Sequence, residues 1–544
     1  SHELIRHTLL AELSTTRRRR VHVRIANALE RRFPGDSGHA SDIAEHLLAS
    51  ELTGPRTARH LVRAGDRARE GAAYEEALHH YERAAALLDG PEQAELLLKL
   101  GTALRGVGRW DEASATWERA LTILEERGRD EEIVAVSYDL CQQLAWAYRF
   151  PEMAAVAERA RAAIGDRESP ERPRILGLVG VALALTGQPE RADEHAAEAR
   201  RLADASGDPQ MLADVGLSET YHHYFFMRLH RTVEIGRPAT EALRAAGSLW
   251  NLAETLAFLD VGLVFQGRFA ESAVVHRELD PLAERLRHGG ASSTAMRNRF
   301  ASAAAQRADL EELTRIADLQ LQSANMTHNA GWVAFSHTLR GILDFWRGDW
   351  ERARASLQAG ADTAGPFWAP AQRGWLLVLD AWEGRTEAME RGFAELEPLL
   401  PRPGRANLIG AWTLAALAAE AVGLTGGRKR AARLHGLVVE ALATGTLMRH
   451  FDGRLLQTVA GMSAAAAGRI DLARGHFDRA LEQAERIPHR LERPHAAHAY
   501  ARVLLEHEPE RAYELACHAE RDYAAIGMAR HAEAARDLAS VQRG

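Results

Sequence analysis

Twenty-five histidines are the residues in this sequence most able to do acid–base or metal chemistry. Their spacing argues against it. His222 and His223 are adjacent, so they diverge around any helix. His495 and His498 share a helix face, but no third ligand stands at zinc spacing. His450 lies beside Phe451, Asp452 and a loop glycine. Pairs this loose are expected at the surface. No G-x-S-x-G or H-E-x-x-H spacing occurs. Lysine occurs only at 99 and 429, so arginine carries nearly all of the 68 basic side chains. Neither lysine completes Gly-x-x-x-x-Gly-Lys-Ser/Thr, which excludes a standard P-loop nucleotide site in this chain. Cys141 and Cys517 have no nearby partner cysteine, so no disulfide framework or structural zinc is expected and a reducing cytoplasm fits. No catalytic, cofactor or metal site is expected here, and no enzyme activity.

Binding chemistry is a better fit. Six of the 11 tryptophans (332, 346, 350, 368, 375 and 382) fall close together, although aromatics are only 6% of the chain. Trp350 is expected in the core; Trp346, Trp375 and Trp382 are freer to meet a ligand. Residues 1–34 hold eight arginines against three acids. The run Arg17, Arg18, Arg19 and Arg20 could grip phosphate, but no aromatic base-reading element is interleaved. A solvated or protein-packed helix start is the favoured reading. The net charge of −7 argues against whole-surface nucleic-acid binding.

The elements that position these residues repeat. A glycine stands twelve residues before an alanine at Gly65/Ala77, Gly101/Ala113, Gly180/Ala192, Gly341/Ala353 and Gly461/Ala473. A larger residue precedes each alanine by three, and small or apolar residues follow at four and seven. These offsets keep one helix face apolar, while glycine and alanine allow two helix axes to approach closely. One helix pair cannot bury its own face, so neighbours must stack. Extending the spacing places alanine equivalents at 77, 113, 154, 192, 232, 272, 313, 353, 389, 432, 473 and 512. The expected fold is all-α: about twelve helix pairs in an α-solenoid superhelix. Residues 406–425, the most apolar stretch, contain Asn407 and Glu420. They are read as a buried helix, with no membrane span expected.

This spacing resembles the tetratricopeptide (TPR) family. In such arrays the first helix of each pair lines a concave groove. The residue four beyond each glycine equivalent is Trp146, Ala184, Tyr224, Val264, Ala305, Phe345 or Ala381 in successive units. Asp139, Gln143, Tyr221, Phe225, Asn298, Trp346 and Trp382 lie beside them. The candidate contacts for a small-molecule effector or a peptide are therefore Asp139, Gln143, Trp146, Tyr221, Tyr224, Phe225, Asn298, Phe345, Trp346 and Trp382. Packing between repeats is the competing role for each.

Outside the repeat, the N-terminus reads His2-Glu3-Leu4-Ile5-Arg6, then Leu9 to Leu13, then Ser14 as a plausible N-cap, Arg17 to Arg20, His22, and Ala26-Asn27-Ala28-Leu29-Glu30. This order resembles the stretch after the ATPase core of bacterial STAND-class signal-transduction ATPases, including ATP-binding LuxR-family transcriptional regulators and adenylate cyclases with a TPR tail. The resemblance implies that residues 1–33 end a winged-helix module and that 34–544 form the sensor array. It implies a neighbouring ATPase as partner and ATP only on that absent domain. Nucleic acid would be met only through domains absent here, and self-association is left open. Alternatives are a stand-alone TPR scaffold for protein–protein interaction or the regulatory tail of a cyclase. Beginning at Ser1 rather than Met, the chain is expected to be part of a longer protein.

Overall fold

The computed structural model describes residues 14–540 other than 90, 166, 168, 328 and 366. Residues 2–6 and 9–13 of the N-terminal motif lie outside the described residues. Among the described residues there are 27 α-helices and no strand; Met448 and Leu455 form one isolated bridge.

Twenty-four of these helices fall into twelve consecutive pairs, from Pro55–Glu70 with Tyr74–Ala85 to Glu492–Leu504 with Pro509–Ile526. Thr15–Arg32, Ala40–Ala49 and Ala529–Ser540 flank them. Every expected alanine equivalent lies in the first turn of a second helix. Two are displaced by one residue. Met153 and Ala431 take the buried position expected of Ala154 and Ala432, which are only partly buried. The result is a TPR-like succession of helix pairs.

The reason for the glycines differs from the one expected. Close approach of two backbones occurs at Gly180, where an added Cβ would meet the Ala192 carbonyl oxygen at 3.3 Å. In the other four pairs a large side chain four residues after the alanine lies on the glycine instead. A Cβ on Gly101 would stand 2.3 Å from Trp117 Nε1, and one on Gly341 2.6 Å from Leu357 Cγ. Glycine there is a seat for a ring or a leucine.

A left-handed residue recurs five positions before the buried first-turn residue, and it breaks the chain between paired helices. It is glycine at 108, 187, 267, 348, 384, 426 and 468, but Ala72, Tyr148, Met227 and Ala308 occupy the same place. A side chain in that conformation costs roughly 1–2 kcal/mol.

The chain divides into two compact units. The first comprises Ser1–Leu144, Ala155–Glu171 and Arg285–Arg287; the second comprises Ala145–Ala154, Arg172–Glu284 and His288–Gly544. In the first, Thr15–Arg32 begins where Ser14 was expected to cap it, but the Ser14 side chain makes no cap bond. Arg56 and His60 hold Glu30 of that helix, at 2.6 and 2.7 Å.

In the second unit, late segments reach back to early turns. Leu447 and Met448 donate backbone N–H groups to the Phe265 carbonyl at 3.1 and 3.2 Å, and Arg490 N–H donates to Ala305 at 2.6 Å. Helix Ile409–Thr425 is buried along most of its length, and Glu420 within it is fully buried. Among the described residues no helix is long and apolar enough to cross a membrane.

Candidate functional site

The ten expected contact residues separate into several environments. Asp139 and Gln143 belong to the first unit. Asp139 accepts from Arg105 Nη1 at 3.3 Å, and Gln143 is buried. The other eight belong to the second unit, where most are buried.

Trp146, Tyr221, Tyr224 and Phe225 come together. Tyr221 and Tyr224 pack on Phe258 with ring centroids 4.5 and 4.7 Å away, and Trp146 stacks on the same ring at 5.4 Å. Phe225 stacks against Tyr221 at 6.2 Å. The assembly continues through Trp332, 6.4 Å from Trp146, and through Phe367, 5.8 Å from Phe225. Phe367 also faces Tyr148 at 6.5 Å, and Tyr148 faces Phe335 at 5.9 Å. Phe335 meets Trp368 at 5.3 Å, and Trp368 stacks on His450 at 5.6 Å. First helices of several repeats, a between-helix turn and two loops thus supply one buried aromatic cluster. Tyr221 is oriented by a buried carboxylate: its hydroxyl donates to Glu254 Oε2 at 2.7 Å.

Phe345 and Trp382 belong to a second aromatic group. They are 6.0 Å apart and each lies 4.8 Å from His531. Trp346 stacks on Phe300 at 5.9 Å. Asn298 serves a polar network, donating at 2.7 Å to the buried Asp260, which also accepts from Ser272 at 2.5 Å. His276 completes that network. Burial lowers its pKa, but hydrogen bonds to Asp260 and Asp280 outweigh this and raise it to about 9.

Two sequence expectations are corrected. Trp350, expected in the core, is only partly buried and lies under Arg530, whereas Trp346 and Trp375 are fully buried. The histidines expected at the surface are mostly interior. His222, His450, His495 and His498 are buried, and burial pushes His498 down to about 3. Burial likewise pushes His450 and His495 well down, so His450, His495 and His498 are neutral packing groups at neutral pH, while His222 is held by Asp193 at 2.7 Å. Among the described residues no three His, Cys, Asp or Glu side chains converge to hold a metal ion.

Two further features escaped the sequence reading. One is a buried ionic network. Arg449 binds Glu420 at 2.6 Å and Asp452 at 2.6 Å, while Arg454 meets Glu420 at 3.1 Å and Glu492 at 3.5 Å. Burial pushes Glu492 up to about 7 against the pull of Arg454. The other is Arg297, which reaches the aromatic cluster from helix Gly289–Gln306 and lies 4.4 Å above the Phe335 ring. A usable sequence signal existed for Tyr148: it stands in the turn position that glycine fills in seven other units.

No protein-family profile matches the chain, and no curated protein matches it. Among solved structures, yeast Tom70 aligns with a TM-score of 0.33 and 14% identity over 90% of this chain and 96% of its own. Cut9 in the APC/C hetero-tetramer with Hcn1 aligns with a TM-score of 0.36 and 12% identity, over 88% of this chain and 95% of that one. The helix pairs described above, rather than these alignments, identify the chain as TPR-like and all-α.

Proposed function

We propose that the chain is the ligand- or protein-binding sensor array of a STAND-type regulator that works in the cytoplasm and controls an ATPase switch coupled to transcription. One observation carries the binding role: aromatic side chains from the first helices of several repeats converge in one cluster, from Trp146 through Tyr224 and Phe258 to Trp332. A cluster built between repeats senses their relative placement, and small changes per repeat add along a stacked array. An occupant there would bias repeat packing and so reach a neighbouring domain. The resemblance of the N-terminal segment supports the identity of that neighbour, with residues 1–33 as the end of a winged-helix module and 34–544 as the array.

The test is the coding sequence around this chain and the activity of its product. An upstream Walker A lysine is expected, with ATP turnover that changes when the array is deleted. Turnover indifferent to the array would sink the regulatory reading.

A further inference from the structure

We propose that the aromatic cluster of the second unit is a receptor that opens for a small organic carboxylate with a flat apolar body, and that Arg297 binds its charge. The proposal rests on the sensor reading above and names the class of effector.

Arg297 is 6% exposed, yet its Nε and Nη1 have no hydrogen-bond partner. Its Nη2 donates to Thr294 Oγ1 at 3.0 Å, and the Tyr224 hydroxyl is a further partner of the guanidinium. No described carboxylate pairs with it. A guanidinium is never neutral at physiological pH, and an unpaired buried charge is strongly destabilising. The buried arginines of the neighbouring network, Arg449 and Arg454, each have carboxylate partners. The chain therefore supplies acids where it means an arginine to be structural.

The surroundings of Arg297 are donors and rings. Its charge acts on Tyr148, Tyr224 and His450. Burial and Arg297 together push His450 well down, so that ring adds no second cation at neutral pH. The Tyr148 hydroxyl lies within reach of the indole N–H groups of Trp332 and Trp368. The face of Phe335 below the guanidinium leaves its remaining edge for an acceptor. One cation in apolar walls matches a singly charged carboxylate; a phosphate group would bring up to roughly two charges against one. The rings supply stacking surfaces for a flat body.

The full chain would be titrated calorimetrically with benzoate and indole-3-acetate, and with benzamide and indole-3-acetamide as uncharged counterparts. At least one acid is expected to bind with a Kd below about 1 mM, about tenfold or more tighter than its amide. Arg297→Met should weaken the acid about tenfold or more while the amide changes little. The proposal is overturned if no acid binds, if acid and amide bind alike, if inorganic phosphate binds more tightly than both acids, or if Arg297→Met binds the acid as well as the parent. Should Arg297→Met not fold, Trp368→Phe is read instead. It removes one N–H donor, and unchanged acid affinity in that variant overturns the proposal. Failure here leaves ATPase control by a protein partner standing. Carboxylate binding without any effect on ATP turnover would sink the sensor reading and keep the site.

Discussion

Two regions of the second unit bury arginines side by side in kind and opposite in treatment. Around Arg449 and Arg454 the chain gathers Glu420, Asp452 and Glu492, and little charge is left unmatched. Around Arg297 it gathers phenols, indoles and a neutral imidazole. The first arrangement is closed: each cation already has its anion, so the network can only hold loop 445–455 against helix Ile409–Thr425. The second is open in the chemical sense that its cation still has donors to give. The difference separates a structural charge from one suited to recognition, although both are equally hidden from water.

The largest expected effect comes from breaking the closed region. Glu420→Ala leaves Arg449 and Arg454 sharing fewer anions and should cost about 3–5 kcal/mol of stability in chemical denaturation. Arg297→Met should do the reverse, raising stability by about 1–3 kcal/mol, because a poorly compensated buried charge is replaced by an apolar side chain of similar length. A loss of stability would mean that Arg297 is as structural as Arg449, and the comparison would fail.

A pH series sharpens the contrast. The Glu492 carboxyl is raised to about 7 when folded, chiefly by burial. Its folded value lies above its unfolded one, so the folded state holds the proton more tightly. Stability from this group is therefore greatest below pH of about 4.5 and is lost as pH rises towards 7. Glu492→Gln should flatten the denaturation midpoint across that window. An unchanged slope would show that Arg454 keeps the carboxylate charged. The smallest effect is expected from Tyr148→Phe: within about 0.5 kcal/mol in stability, but about threefold weaker carboxylate binding, measured calorimetrically, through the lost hydroxyl.

Much of the architecture was legible because it is local. Glycine twelve before alanine, with apolar residues four and seven beyond it, encodes two helices and the turn between them within one stretch of chain. Even there the period slips by one at Met153 and Ala431, and Ala154 and Ala432 each stand one position beyond the buried residue. The glycine spacing was also right for a reason only the structure supplies, a ring seated on Gly101 or Gly65. The candidate contacts were chosen by the same periodicity. It brings Trp146, Tyr221, Tyr224 and Phe225 into one cluster, and sends Phe345 and Trp382 to another group and Asn298 to an internal carboxylate.

Helix pairs, their approximate number and the lack of a P-loop motif all follow from residues near one another in the chain. Tertiary structure alone decided which charges are paired. Tyr148, Arg297 and His450 meet across some three hundred residues, and nothing in local spacing distinguishes one arginine among dozens. What sets Arg297 apart is the lack of an acid beside it in space, a property that exists only once the repeats have stacked.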